Sequence, residues 1–173
     1  MSGIRVAIII DAPPSAVWEV VAHVASHVEW MQDAVAIRFT TAQDRGVGTT
    51  FDCDTRVGLL RLTDRMEITE WVDEQTMGVR HVGVVTGAGR FTLRPVGIGR
   101  TAFAWQEQLT FPWWLGGPVA GLIGKPILRA VWQRNLGALK RLVEGGRHCA
   151  AGPAAEQGTR PPREERSREE PAN

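Results

Sequence analysis

The stretch TAFAWQEQLTFPWW, which begins at residue 101, places a carboxylate where an apolar side chain is expected. Side chains alternate between the two faces of a strand, so one face carries Glu107 with four apolar side chains: Phe103, Trp105, Leu109 and Phe111. Burial there would raise the pKa of the Glu107 carboxyl, because an apolar environment disfavours its charged form. Such a carboxyl can hydrogen-bond a ligand carbonyl or act as a general acid or base. An ion pair with an arginine of a neighbouring strand, or a bulge that turns Glu107 outward, is the alternative.

Two further titratable side chains fit the same chemistry. Asp64 lies in LLRLTDRMEITEWV, where alternation places it on one face with Leu60, Leu62, Met66 and Ile68. Its arginine and glutamate neighbours leave a surface ion-pair network as the alternative. His81 lies in MGVRHVGVV, where both faces are apolar and neither is favoured. A neutral imidazole in a pocket could shuttle a proton or hold a polar ligand group, whereas a hydrogen-bonded core or surface histidine is the commoner case.

The other candidates for metal binding or nucleophilic chemistry are weaker. His23 and His27 are four residues apart, a spacing that suits two metal ligands on one helix. Ser26 and Glu29 predict a capping box and therefore a helix break between the histidines, and no cysteine or carboxylate completes the ligand set. Cys53 is interpreted as a buried apolar thiol. Phosphate loops and nucleophile elbows are absent from the sequence, so we expect neither a metal nor another cofactor.

Charge and composition exclude several classes of protein. The 173 residues carry a formal net charge of +1, which gives no electrostatic basis for binding nucleic acid. Cys53 and Cys149 fall in a predicted strand and a predicted tail, so we expect no disulfide between them. The N-terminal run RVAIIIDAPP is too short for the core of a signal peptide, and no stretch reaches the roughly 20 apolar residues of a transmembrane helix. The sequence predicts a soluble, cytoplasmic protein.

A sheet must position these side chains. Residues 3–10 form the first predicted strand, after which Pro13 and Pro14 open a helix, and a second short helix follows at HVEWM. From Ala34 the apolar period changes to two, and short turn-like connections predict antiparallel neighbours. The six further predicted strands cover 34–41, 48–57, 59–72, 76–85, 89–95 and 100–111.

The last third of the chain contains the longest predicted helix. FPWWLGGPVAGLIGKPIL is apolar but interrupted by Gly and Pro, which predicts a short helix or an irregular lid. Pro126 then opens a helix over 126–144, which Gly145 and Gly146 end. One face of this helix carries Leu128, Trp132, Asn135, Leu136, Leu139 and Val143. The Pro-, Arg- and Glu-rich residues 146–173 predict a disordered tail, and 1–145 are predicted to form one domain.

A sheet of seven strands must bury its apolar face, and only one long helix is available to cover it. We therefore expect an α+β fold in which a curved seven-stranded antiparallel sheet wraps around the C-terminal helix, with two short helices after the first strand. A curved sheet contacts such a helix incompletely. The space left between them is the expected ligand cavity.

The sequence resembles the START-like (SRPBCC) superfamily, and within it the polyketide cyclase/dehydrase-like proteins. The likeness is carried by APPSAVWEVVAHVASHVEWM, GTTF, GRTAFAWQEQLTFP and LGALKRLVE, and covers about residues 3–144. It implies a helix-grip fold around a hydrophobic pocket that binds lipids, quinones, hormones or polyketides; some members catalyse cyclisation or dehydration. The family offers no universal catalytic residue to assign here.

Seven tryptophans and no tyrosine favour an apolar ligand. The helix-grip arrangement places Trp30, Trp105 and Trp132 at the pocket wall or entrance, whereas Trp18 and Trp71 are interpreted as core. The full set of predicted ligand-binding residues is Trp30, Phe51, Met66, Phe103, Trp105, Glu107, Leu128, Trp132 and Asn135. Trp113 and Trp114 suit a peripheral membrane contact. This interpretation is weaker than that of a lid over the pocket.

Two functions are consistent with the sequence, and the number of titratable side chains in the cavity distinguishes them. The leading hypothesis is a module that binds a hydrophobic small molecule. The other is a polyketide-type cyclase or dehydratase that moves protons with Glu107, aided by His81 or Asp64. Two or more titratable side chains converging inside the cavity would favour catalysis. A role in protein interaction is a third, thinly supported possibility, and the sequence predicts no oligomeric state.

Overall fold

The computed structural model describes the backbone of residues 3–113 and 117–150, and the side chains of residues 3–113 and 124–146. Its strands are β1 Ile4–Ile10, β2 Ala34–Phe39, β3 Thr50–Val57, β4 Leu60–Val72, β5 Thr76–Val82, β6 Thr86–Pro95 and β7 Thr101–Thr110. Helix α1 covers Pro14–Val21, a short 3₁₀ helix covers Val24–Glu29, and helix α2 covers Gly117–Ala150.

The seven strands form one antiparallel sheet in the order β1-β7-β6-β5-β4-β3-β2. From β2 to β7 every strand pairs with the next in sequence, and β1 closes the sheet against β7. The connections from β3 to β7 are turns of two to five residues, whereas β2 and β3 are joined by the ten residues 40–49. The predicted strands and fold class are confirmed, with boundaries that differ by at most three residues. A register shift between Ile68 and Glu70 on β4 marks an irregularity of the kind that lets a sheet bend.

The first turn of α1 follows the prolines as predicted. Pro13 is the N-cap residue in an extended conformation, and Pro14 occupies the first helical turn, where a missing N–H costs nothing. Trp18 is buried and packs edge-on against Trp71 at 5.2 Å between ring centroids. Both indole N–H groups donate to Asp73 Oδ1, so this pair fixes α1 on the sheet.

The predicted capping box at Ser26 is wrong. The 3₁₀ helix has His23 as its N-cap residue, so Ser26 lies inside it rather than before it. The Ser26 hydroxyl donates back to the His23 carbonyl oxygen at 2.8 Å instead of accepting from an N–H further along the chain. The helix does break near these residues, but at Ala22 and His23 rather than between His23 and His27: α1 ends at Val21 and the 3₁₀ helix begins at Val24, so the two histidines do not share one α-helix.

Helix α2 is longer at both ends than the sequence predicts. It begins at Gly117 rather than Pro126, which lies inside it, and continues through Gly145 and Gly146 to Ala150. Neither glycine adopts the positive φ that ends a helix in a left-handed cap. The first residues of the predicted tail are therefore helical, and 151–173 lie outside the described residues.

The predicted apolar face of α2 is confirmed and covers the sheet on the side of β1. Trp132, Leu136, Leu139 and Val143 are buried there, and Asn135 is buried among them. Leu128 is only half buried and lies on the wall of the cavity described below. In the described part of the chain no helix is long and apolar enough to cross a membrane.

Candidate active site and ligand cavity

A cavity of about 320 Å³ lies between α2 and the concave face of the sheet. Its walls are mostly apolar and include Met66, Met77, Val79, Phe91, Trp105 and Trp132. It reaches the surface beside Leu60 and Ile127, which are 48% and 55% exposed. The volume is at the lower end of the range usual for small-molecule sites.

Three titratable side chains converge inside this cavity. His81 contacts Asp64 Oδ2 through Nδ1 at 2.5 Å, and Glu107 Oε1 through Nε2 at 2.6 Å. The Trp105 indole N–H donates to the other Glu107 oxygen at 3.0 Å. All three titratable residues are at most 7% exposed. We refer to Asp64, His81 and Glu107 as the acid–histidine cluster.

The cluster spans four strands, and a glycine on β6 makes this contact possible. His81 is on β5 and Glu107 is on β7, so β6 separates them, and strands lie roughly 4.8 Å apart. Gly89 of β6 is paired directly with Glu107, and a Cβ there would lie 2.9 Å from Glu107 Oε1. Because Gly89 has no side chain, Glu107 can reach His81 across the intervening strand.

The charge of His81 is set by opposing effects. Burial lowers the pKa of the imidazole, but hydrogen bonds and charge attraction from Asp64 and Glu107 outweigh burial and raise that pKa to about 9. Both ring nitrogens then carry protons at neutral pH, and both donate to a carboxylate. The sequence left open an ion pair between Glu107 and an arginine of a neighbouring strand. The partner is instead His81.

His27 lies on the same cavity wall in the opposite protonation state. Burial lowers its pKa to about 4, against a smaller effect of its hydrogen bond to the Val21 carbonyl oxygen. Since that oxygen can only accept, the neutral ring carries its proton on Nε2, which donates at 2.7 Å, and Nδ1 is left as an acceptor. His23 is exposed, and no group of three metal-ligating side chains in the described residues could hold a metal ion.

Comparison with known proteins identifies the family of this chain. Residues 1–144 match the family described as polyketide cyclase / dehydrase and lipid transport. The chain belongs to this family. The predicted resemblance to START-like and polyketide cyclase/dehydrase proteins is thereby confirmed. No match was found among curated proteins.

Solved structures share the fold of this polyketide cyclase/dehydrase family member. A protein from Thermus thermophilus has a TM-score of 0.70 at 16% identity, with 84% of this chain and 99% of that chain covered. A START superfamily protein from Mycobacterium smegmatis has a TM-score of 0.68 at 12% identity, with coverages of 83% and 97%. The Zhui aromatase/cyclase from Streptomyces sp. R1128 has a TM-score of 0.63 at 17% identity, with coverages of 89% and 98%. These similarities establish a common helix-grip fold.

Six of the nine residues predicted to bind ligand line the cavity of this family member: Phe51, Met66, Trp105, Glu107, Leu128 and Trp132. The other three are packed behind its wall. Trp30 is fully buried next to His27 and Phe91, and Phe103 is fully buried against Phe91 at 5.4 Å between ring centroids.

Asn135, the third of these residues, holds the end of the 3₁₀ segment against α2. Its amide donates to Asp33 Oδ1 at 2.6 Å, and its oxygen accepts from the Gln32 N–H at 3.0 Å. Its polar groups are thus satisfied within the protein. Trp113 is 85% exposed, Trp114 lies outside the described residues, and the membrane contact predicted for them stays a prediction.

Cys53 is a buried thiol, as predicted, and lies on the cavity wall beside Asp64, its cross-strand partner. Burial raises the pKa of the thiol to about 11, so it is protonated and unreactive at neutral pH.

Sequence reasoning did not assign His27 or Gly89 to the site. A glycine on the inward face of β6, opposite Glu107, is the signal that could have revealed the contact with His81.

Proposed function

We propose that this protein binds a hydrophobic small molecule, of lipid, quinone or aromatic polyketide-like chemistry, in the cavity between the sheet and α2. The observation that carries the proposal is an apolar chamber of about 320 Å³ in which three of the four buried polar side chains of the wall form one cluster, the fourth being His27. Apolar walls supply affinity through the removal of water, and a few polar groups fix the orientation of the ligand. The family description, which includes lipid transport, supports the same conclusion.

Two variants of one strand test this proposal. Val79 faces the cavity, whereas Val82 on the same strand is 45% exposed. Val79→Phe would fill part of the chamber and is expected to weaken binding of the fluorescent probe N-phenylnaphthylamine at least roughly tenfold, whereas Val82→Phe should bind like the parent protein. Native mass spectrometry of the freshly purified full chain would identify any ligand that remains bound. Equal probe binding by both variants would contradict the proposal.

A second candidate function is proton-transfer catalysis of the cyclase or dehydratase type. The specific observation in its favour is the convergence of three titratable groups within hydrogen-bonding distance in a buried site. Glu107 would accept a proton from the carbon next to a ligand carbonyl. The cluster would return that proton to a departing hydroxyl, which leaves as water, so that the protein ends in its starting state. The similarity of fold to the Zhui aromatase/cyclase supports this candidate by analogy.

Glu107→Gln separates the two functions, because it keeps the shape of the side chain but removes its basicity. If catalysis occurs, an extract incubated with the parent protein should accumulate a product lighter by one water, and the variant should lose at least roughly 99% of that conversion while still binding ligand. Glu67→Gln is the matched control, since Glu67 pairs with Arg80 on the outer face. Equal conversion by Glu107→Gln and the control would eliminate the catalytic role.

A further inference from the structure

We propose that the ligand presents a hydrogen-bond donor, a hydroxyl or a protonated amine, to the acid–histidine cluster, and that the site selects against carboxylates and against ligands whose polar end only accepts. This inference rests on the proposed function and narrows it, because it specifies the polar end of the molecule held in the cavity. Among the proposed ligand classes it favours lipids and polyketides that carry a hydroxyl or an amine over quinones, whose carbonyl oxygens only accept. It follows from an inventory of the donors and acceptors on the cavity wall.

The donors of the cluster are already used within the protein. His81 gives one N–H to Asp64 and the other to Glu107. The Trp105 indole N–H is given to the second oxygen of Glu107. A ligand acceptor brought to this point would have to displace a charge-assisted hydrogen bond, which is among the stronger interactions in a protein.

Acceptors, in contrast, remain free. Asp64 Oδ1 is buried and accepts no hydrogen bond within the described residues. Each oxygen of Glu107 accepts one hydrogen bond and keeps a further lone pair. His27 Nδ1 is an additional unprotonated acceptor on the same wall. A buried acceptor without a donor costs free energy, and a ligand donor would remove that cost.

The other donors near the cavity do not change this balance. The Arg90 guanidinium is half exposed and binds Glu70 on the outer face of the sheet. The Trp30 indole N–H has no partner, but Trp30 does not line the cavity. The contact between the Cys53 thiol and the Thr55 hydroxyl, at 3.8 Å, uses one of their two donors, which leaves a single neutral donor on this part of β3. An imidazolium between two carboxylates also leaves one net negative charge, which repels an anionic ligand.

Four naphthalene derivatives of similar size test the inference by calorimetric titration of the full chain. Naphthol and naphthylmethylamine carry donors, methoxynaphthalene carries only an acceptor, and naphthoate is an anion. We expect both donor compounds to bind at least roughly tenfold tighter than methoxynaphthalene, and naphthoate to bind most weakly. Equal affinity for all four would overturn this inference and leave the proposed function standing. Binding of none would overturn both.

Asp64→Asn places an amide where the free oxygen lies, so the cluster then offers a donor. The preference for naphthol over methoxynaphthalene should disappear or reverse in this variant. Asp52→Asn is the matched control, since Asp52 pairs with Arg65 on the outer face, and it should keep the parent preference. If Asp64→Asn does not fold, Glu107→Gln serves instead: at about pH 5.5, where His81 stays protonated in the variant, it removes the net negative charge of the cluster, and binding of naphthoate should rise relative to the parent protein. An unchanged preference in both cluster variants would overturn the inference.

Discussion

The protonation state of His81 is set by burial and by two carboxylates, whose combined effect is the larger. A buried imidazole without partners becomes neutral, as His27 does on the same cavity wall. His81 is equally inaccessible, yet its pKa rises to about 9 because each ring nitrogen contacts a carboxylate oxygen. Two histidines in one cavity thus differ in charge at neutral pH, and the difference is explained by what each nitrogen touches.

Glu107→Gln should therefore lower the pKa of His81. The substitution removes one of the two opposing charges and leaves burial, which lowers the pKa, less fully compensated. We expect a decrease of roughly one to three pH units, measured by NMR titration of the imidazole signals. Glu67→Gln provides the control because Glu67 binds Arg80 on the outer face. A His81 pKa that stays near 9 in the cluster variant would show that Glu107 does not hold the charge.

The sequence predicted the two acids of the cluster better than its histidine. Strand alternation placed Glu107 and Asp64 on apolar faces, and the structure places both on the cavity wall. His81 could not be oriented, since both faces of its strand are apolar, and His27 was considered only as a metal ligand. Neither the pairing of His81 with both acids nor the acceptor role of His27 is encoded in local periodicity, because each depends on strands brought together by the sheet.

At the scale of the elements, the contact between Glu107 and His81 depends on β6, the strand that lies between them. Its Gly89 lies directly between Glu107 on β7 and Val79 on β5, and a Cβ there would lie 3.1 Å from Val79 Cγ2 as well as 2.9 Å from Glu107 Oε1. The sequence placed Gly89 only at the first position of the predicted strand 89–95. The structure shows an ordinary paired strand position that has to remain without a side chain.

Gly89→Ala should displace the Glu107 carboxylate and break its contact with His81. The expected results are a lower His81 pKa by NMR and weaker binding of naphthol, since the added methyl group also enters the cavity. Gly78→Ala is the matched control, because its Cβ would overlap Glu70 on the outer face at the same 2.9 Å. Both variants should lose stability by about 1–3 kcal/mol. Identical His81 titration in the two variants would contradict the positional role of Gly89.

The elements that the sequence placed least well are those whose ends depend on tertiary packing. The seven strands follow from period-two alternation and turn residues, and all seven are present. Helix α2 begins nine residues before the predicted start at Pro126, although a proline inside a helix usually costs about 3 kcal/mol. Local propensity favoured a break at Pro126 and an end at Gly145. In the structure the helix continues through both Pro126 and Gly145.

At the scale of the whole molecule, the two cavity histidines give stability an optimum in pH. The free energy of unfolding changes with pH wherever the folded and unfolded chains bind different numbers of protons. His81 has its pKa raised from 6.5 to about 9 in the folded protein, so its contribution is complete below pH 6.5 and is lost as the pH rises to about 9. His27 has its pKa lowered from 6.5 to about 4, so its contribution is complete above pH 6.5 and is lost as the pH falls to about 4.

Urea denaturation from pH 4 to pH 9 should therefore give a maximum near pH 6.5, with each histidine contributing about 3 kcal/mol to the decline on its side. His81→Gln should flatten the alkaline decline and His27→Gln the acidic one, whatever each substitution does to the absolute stability. His23→Gln is the control, because His23 is exposed, and it should preserve both declines. An alkaline decline that survives His81→Gln would show that the buried imidazole is not held in its charged form, and the assignment of every donor in the cluster would fail with it.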